Sequence, residues 1–459
     1  MKFKKTKLAT AVGTAAMAMA LSAPANAVVV GGDNGWEVSF TGTINLFYNF
    51  VDWETNTNDT LPLCTVTSSF PLTHGCGAGA VTQDSSHLQE GLLPAFFTFK
   101  AKSPTVNGLT GTAQISFAPD SSSAKTTRND KGGSAIDMRE VFFNVDGSFG
   151  TISAGRTLGL FQRQAILKDQ TLFGVGGIVG PDGGGTTLGR IGYGYIYPEF
   201  RTRFSYKTPV VNGFQLELGI FDPQEPVVTG SSVFETDTPQ FQGEATYNTT
   251  FQGGNIGVWV GGVWQEMSLI SSTGFSDDTV TTWGINVGGS VGFSGFEVLG
   301  SYYTGEALGV DFQTAGGGGF GAGGGVGSAG LSGLFGAPGF MCTSGTSTAT
   351  CDEADNDGFY VQGSYTFNGK TKIAGSYGES NQNDSAFSFS DGIHFNDVSH
   401  EMWTIGVYHD VTSWLKLVAE YNDMEQTAEL SGGLPIGTKG TKINEIDAQI
   451  FSVGGFIFW

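Results

Sequence analysis

Period-two alternation without any long apolar run is the feature that most limits what this chain can become. In LTGTAQISF, residues 109 to 117, Leu109, Gly111, Ala113, Ile115 and Phe117 share one face while Thr110, Thr112, Gln114 and Ser116 share the other, because strand side chains point alternately to opposite sides. One face suits hydrocarbon and the other suits water. The preceding AFFTFKAK sets Ala95, Phe97, Phe99 and Ala101 against Phe96, Thr98, Lys100 and Lys102, and the intervening SPTVNG carries the turn residues Pro104 and Asn107-Gly108. Beyond the first residues, no run approaches the roughly 18 apolar residues of a spanning helix. A barrel strand needs only about 9 to 11 residues and keeps its average hydropathy near zero. A mean hydropathy of -0.03, with 36 phenylalanines, 72 glycines and 14% charged residues, fits that requirement.

The same rhythm predicts strands near 36–50, 91–102, 109–118, 135–145, 150–156, 199–207, 214–221 and 239–248. It continues at 255–267, 280–291, 296–306, 357–367, 371–381, 399–409, 414–425 and 444–459, about sixteen in all, an even number as a closed antiparallel barrel requires. Tight connections at Asp146-Gly147, Asn212-Gly213, Ser294-Gly295, Asn368-Gly369 and 410–413 alternate with long ones at 51–90, 157–198 and 307–356. Short turns at one end and long loops at the other are the pattern of outer-membrane barrels. A soluble sandwich also has many strands and turns, but its second face tolerates dense charge, whereas here that face carries mostly Thr, Ser, Gln and Gly. The expected fold is all-β, a transmembrane antiparallel β-barrel with long outer loops.

Lys2, Lys4, Lys5 and Lys7, the apolar stretch from Leu8 to Leu21, and the small-residue site Ala25-Asn26-Ala27 read as a cleaved export signal over 1–27. Residues 28–459 then form a single barrel domain. Removing four lysines and no acid takes the formal charge from -21 to -25. Export permits disulfides, and the close pairs Cys64 with Cys76 and Cys342 with Cys351 are expected to form two local bridges that staple loops. Neither pair has the CxxC spacing of a zinc site, so no metal is expected there. DEADNDG, Asp352 to Gly358, opens like a calcium loop but lacks the flanking helices and the terminal glutamate; it reads as a solvated acidic loop. Gly309 to Gly339 is a glycine-rich stretch with too little apolar surface to order itself firmly, and is assigned to an outer loop.

Four fragments resemble the general diffusion porins of Gram-negative outer membranes. MREVFFNVDGSFGTISAGR, Met138 to Arg156, is similar to the strand, turn and strand that lead into that family's third loop, with Gly155-Arg156 matching its Gly-Arg ending. FSYKTPVVNGFQLELGIFD, Phe204 to Asp222, resembles the hairpin after that loop, YHDVTSWLKLVAEY, Tyr408 to Tyr421, the turn before the penultimate strand, and SVGGFIFW, Ser452 to Trp459, the terminal strand. The sequence departs from the pattern in ending on Trp459 and in having Phe456-Ile457-Phe458 where a more basic run is usual. The resemblance implies a 16-stranded barrel, a homotrimer in outer-membrane lipid, and a third loop, here 157–198, that folds inward as the constriction.

Charge on the walls of such a lumen sets what passes. In FRTRFSYK, Arg201, Arg203, Ser205 and Lys207 alternate with Phe200, Thr202, Phe204 and Tyr206. An arginine on the lipid face costs about 2–4 kcal/mol at the bilayer midplane, so the basic face is expected to look inward. Lys100 and Lys102 reach the lumen by the same reasoning. The resemblance adds Arg156 and Arg190 as wall residues and Asp169, Asp182 and Glu199 as candidate acids of the passage. Arg156 and Arg190 read equally as filter residues or as anchors pinning the loop through one of those acids.

The histidines, His74, His87, His394, His400 and His409, occur in no nucleophile elbow and no HExxH motif, so no enzyme is expected. A mature charge near -25 argues against nucleic acid, and nothing calls for a cofactor. The expected function is passive diffusion of ions and small hydrophilic solutes. A substrate-specific channel for an anion or organic acid, and a structural or adhesive barrel, are the alternatives.

Overall fold

The structure is a computed structural model and describes residues 28–57, 81–119, 121, 136–178, 185–223, 227–228, 232–271, 278–309, 323–324, 339–344, 349–383, 394–431 and 441–459. The export segment 1–27, Cys64, Cys76, Asp182 and most of the glycine-rich stretch lie outside the described residues.

Nineteen strand segments share one sheet. Three are not independent staves. Val28–Gly31 fills the seam beside Glu37–Thr57, Ser232–Glu235 continues the stave of Gln240–Phe251, and Val81–Gln89 with Phe96–Lys102 are two parts of one stave against Glu37–Thr57. Sixteen antiparallel staves remain, and the last, Thr441–Phe458, pairs with the first from Thr43↔Phe458 to Thr57↔Asn444, closing the barrel. Closure leaves no unpaired edge, the condition for a sheet to sit in lipid.

Alternation sorts the two faces as the sequence implies. Outward positions such as Phe204, Leu218, Ile285, Val361, Ile405 and Phe451 are exposed, whereas Ser205, Glu217, Asn286, Gln362, Thr404 and Ser452, on the opposite faces of the same strands, are buried. At four short turns, Asn107-Gly108, Asn212-Gly213, Ser294-Gly295 and Asn368-Gly369, both residues have positive φ, the type I′ geometry whose twist suits a two-residue hairpin.

Several strands run further than hydropathy suggests. The first reaches Thr57 rather than 50, and the hairpin His394–Asp410 with Leu415–Ser431 extends at its open end. Towards that end the wall carries outward charge: Glu379, Glu401, Glu425, Asp447 and Glu54 are register partners in one row across five adjoining strands. Such a row cannot lie in hydrocarbon and marks the level where the wall emerges from it. The acidic DEADNDG segment is strand rather than loop, split between Ala349–Glu353 and Asp355–Phe367. In the short hairpin Phe340–Ser344 and Ala349–Glu353, Cys342 is the backbone register partner of Cys351.

The inner wall has two unlike halves. Phe47, Val51, Val398, Met402, Val418, Met424, Ile446, Ile450 and Phe456 form an apolar side that packs with Leu172, Val175, Ile178, Leu188, Tyr193 and Tyr195 of the segment between Leu158 and Phe200. The long loop is thus held inside the barrel by its own core, which leaves the polar half for water.

Candidate functional site

The loop leaves the wall at Leu158, turns through a short helix, Arg163–Lys168, and a 3-10 turn, Gln170–Phe173, and returns at Phe200. Its backbone polar groups find partners on strands across the lumen, as buried amides and carbonyls require. The amides of Leu160 and Phe161 donate to Gln242 Oε1 at 2.7 and 3.0 Å, and that of Gln170 to Gln362 Oε1 at 2.7 Å. Tyr360 donates its hydroxyl to Ala165 O at 2.7 Å, and Glu420 Oε1 accepts from the amides of Val175 and Gly176 at 3.1 and 2.6 Å.

Arg190 is the deepest anchor. It is fully buried and donates to Met402 O at 2.8 Å, Thr404 Oγ1 at 2.9 Å and Ser376 Oγ at 2.5 Å. No carboxylate hydrogen-bonds it among the described residues; its fork is spent on the backbone and hydroxyls of two wall strands. Asp169 is likewise internal. Its carboxylate accepts from the Thr171 amide at 2.9 Å and the Tyr195 hydroxyl at 2.8 Å, capping the 3-10 turn. Both residues hold the loop together instead of facing the passage.

The charged contacts run opposite to the expected polarity. Arg163, on the loop helix, reaches Glu217 Oε2 at 2.8 Å and Glu244 Oε1 at 2.6 Å, both carboxylates of the wall. Arg203 meets Glu217 Oε1 at 3.1 Å and donates to Leu158 O at 3.0 Å. Two arginines and two glutamates therefore form one neutral lattice joining the loop to strands Phe200–Lys207, Phe214–Phe221 and Gln240–Phe251. Glu217 also accepts from Ser205 Oγ at 3.0 Å, and Glu244 from Gln164 at 3.1 Å. Nearby Glu140 accepts from Gln114 at 2.8 Å, Ser116 at 2.9 Å and Thr157 at 2.8 Å. Two of these glutamates are legible in the sequence: Gln215 and Glu217, and Gln240, Gln242 and Glu244, alternate as inward faces do.

Arg201, Lys207 and Lys100 are half-buried on the inward face, with Arg201 donating to Asp222 O at 2.7 Å. Arg156 departs from expectation. Its register partners are Val141 and Thr202, both exposed outward, and Arg156 is itself exposed. The strand passes Gly155 without a bulge, so the glycine takes the inward position; a Cβ there would lie 2.3 Å from Val141 O, at φ +122. Glu199, half-buried at the end of the loop, has its carboxyl pushed up to about 7 by burial, against the pull of Arg201 and Arg156.

A closed barrel with an apolar outside, a polar half-lumen and a loop seated across the interior defines an outer-membrane channel. The chain belongs to the Gram-negative porin family, which it matches over residues 12–429. Among solved structures it resembles the outer membrane channel DcaP of Acinetobacter baumannii, with a TM-score of 0.57 at 13% identity, covering 94% of this chain and 99% of that one. It also resembles the anion-selective porin of Comamonas acidovorans, with a TM-score of 0.53 at 13% identity, covering 92% and 100%. At such identities the likeness is one of fold. A comparison with curated proteins returns no relative. The protein is a multi-pass β-barrel of the outer membrane and a channel for diffusion, in a family of channels rather than enzymes.

Proposed function

We propose that the channel passes small hydrophilic solutes and ions through the polar half of the lumen, and that the lattice of Arg163, Arg203, Glu217 and Glu244 is its charged constriction. The single observation that carries this reading is the pairing of a loop cation with two wall carboxylates across the interior. The lattice is neutral, so the sign of selectivity falls to the remaining inward cations. Lys100 and Lys207 make no ion pair among the described residues, and they favour anions near the wall. The net charge of the whole chain is a poor guide, because much of the acid faces outward or sits near the rim. The test is the reversal potential of the purified protein in a planar bilayer under a potassium chloride gradient. A potential of anion-preferring sign is expected; a cation-preferring one would transfer control of the passage to the acids.

Solutes are read as passing by width and charge. A saturable block of ion current by one organic acid at micromolar concentration would instead favour the substrate-specific alternative.

The chain is further proposed to assemble as a homotrimer. The family supports this, and so does Arg156, outward-facing, exposed and without a hydrogen bond or ion pair among the described residues. A second copy covering it would remove the cost of about 2–4 kcal/mol that an arginine meets in mid-hydrocarbon. Arg156→Glu should weaken the oligomer on a non-denaturing gel while leaving the barrel heat-modifiable; an unchanged oligomer places the interface elsewhere. The register of Cys342 with Cys351 supports a local disulfide, with Cys64 and Cys76 as the second pair. Thiol titration of the unfolded, unreduced protein should find no free cysteine, and finding four would exclude both bridges.

A further inference from the structure

Several inward charges are spent in contact. Arg163 and Arg203 touch glutamates, and Lys416 reaches Asp410 at 2.5 Å. One group is different. Glu297, near the short-turn end of strand Phe296–Glu306, shares the inward face with buried Leu299 and lies opposite Ser364 in the register. Two lysines border the same stretch of wall: Gln362, the register partner of Leu299, donates to Lys168 O of the loop helix at 3.2 Å, and Thr366, two residues beyond Ser364 on that face, lies opposite Lys372. Yet Glu297 forms no ion pair or hydrogen bond with either among the described residues, and all three side chains are half-buried.

The two lysines are held by aromatic rings. The ammonium of Lys168 stands over Trp259 at 5.6 Å and that of Lys372 over Tyr408 at 4.9 Å. A ring fixes the position of an ammonium without accepting all of its protons, so donors remain for a passing solute. Trp259 is buried, and its indole N–H has no acceptor among the described residues. Ser364 and Thr366 add hydroxyls on the same inward face, the latter opposite Lys372.

We propose that Lys168, Glu297 and Lys372 form a transit site for small zwitterions, solutes carrying one carboxylate and one ammonium. The carboxylate is taken by a lysine and the ammonium by Glu297. The gap makes the choice. A simple anion meets the glutamate's repulsion and a simple cation meets two lysines, whereas a two-sign solute gains from both, through direct or water-bridged contacts. The site rests on the reading of the lumen as a passage narrowed by the loop.

The experiment is ion-current block of the purified full chain in a planar bilayer, with glycine and β-alanine compared against propionate and propylammonium. The amino acids are expected to half-block at about a tenfold lower concentration than either single-charge solute, the order of one added charge-assisted contact in water-screened surroundings. Glu297→Gln should erase that advantage and strengthen block by propionate; Lys168→Gln should erase it and strengthen block by propylammonium. Equal block by all four solutes in the parent protein, with normal chloride-salt conductance, overturns the transit site and leaves the channel reading standing. Absence of conductance in the parent overturns both. The parent comparison decides the proposal even if a variant fails to assemble.

Discussion

Arg190→Ala is expected to release the loop and raise single-channel conductance. The side chain is fully buried, and its removal strands the acceptors Met402 O, Ser376 Oγ and Thr404 Oγ1 on two wall strands. Losing several buried partners together costs on the order of 3 kcal/mol of loop attachment. That is about a hundredfold change in the ratio of docked to undocked loop. The barrel itself should survive, because its ladder bonds do not involve Arg190, so heat-modifiable migration is the control. Arg190→Lys keeps a charge but loses the fork and should fall between the two. Conductance and current noise identical to those of the parent would mean that the remaining bonds, chiefly those of Gln242, Gln362 and Glu420, hold the loop unaided.

Arg163→Gln is expected to shift permeability towards cations. The substitution takes the lattice from two arginines and two glutamates to a net charge of -1, leaving Glu244 without an ion pair and Glu217 with Arg203 alone. One unbalanced charge beside a water path, screened over a Debye length of about 8 Å, is worth about 1 kcal/mol to a passing ion. That corresponds to roughly a fivefold change in the anion-to-cation permeability ratio. Glu244→Gln should move the ratio the other way. Equal reversal potentials in all three proteins would remove the lattice from the narrow section.

The barrel was legible because its two solvents impose period two on nearly every strand. Leu109 to Phe117 and Phe200 to Lys207 have the faces their alternation implies. Strand ends were not legible where charge continues the alternation beyond hydrocarbon, as at Asp52 and Glu54, since hydropathy stops there and backbone pairing does not. The site was half visible. Arg203 follows from alternation alone, and Arg201 and Lys207 share its face. Arg190 and Asp169 were identified by type but not by role, because no local pattern says that a loop arginine will cross the lumen to Met402. Arg156 follows a glycine, where a bulge would change the facing; the register has none, so Thr151, Ser153 and Gly155 occupy the inward positions and the arginine points out. The reversed polarity, loop cation against wall carboxylates, arises from pairing between residues more than 50 positions apart, such as Arg163 with Glu217 at a separation of 54, which a linear pattern does not contain.

Polymer exclusion tests the central claim, that the loop between Leu158 and Phe200 lies across the lumen and sets its width. Conductance of the parent and of Arg190→Ala would be measured in the presence of polyethylene glycols of increasing size. The structure predicts a small cut-off in the parent, set by the gap between loop and polar wall, and a larger one in the variant. A parent cut-off as wide as an empty sixteen-strand barrel, unchanged by the substitution, would contradict it.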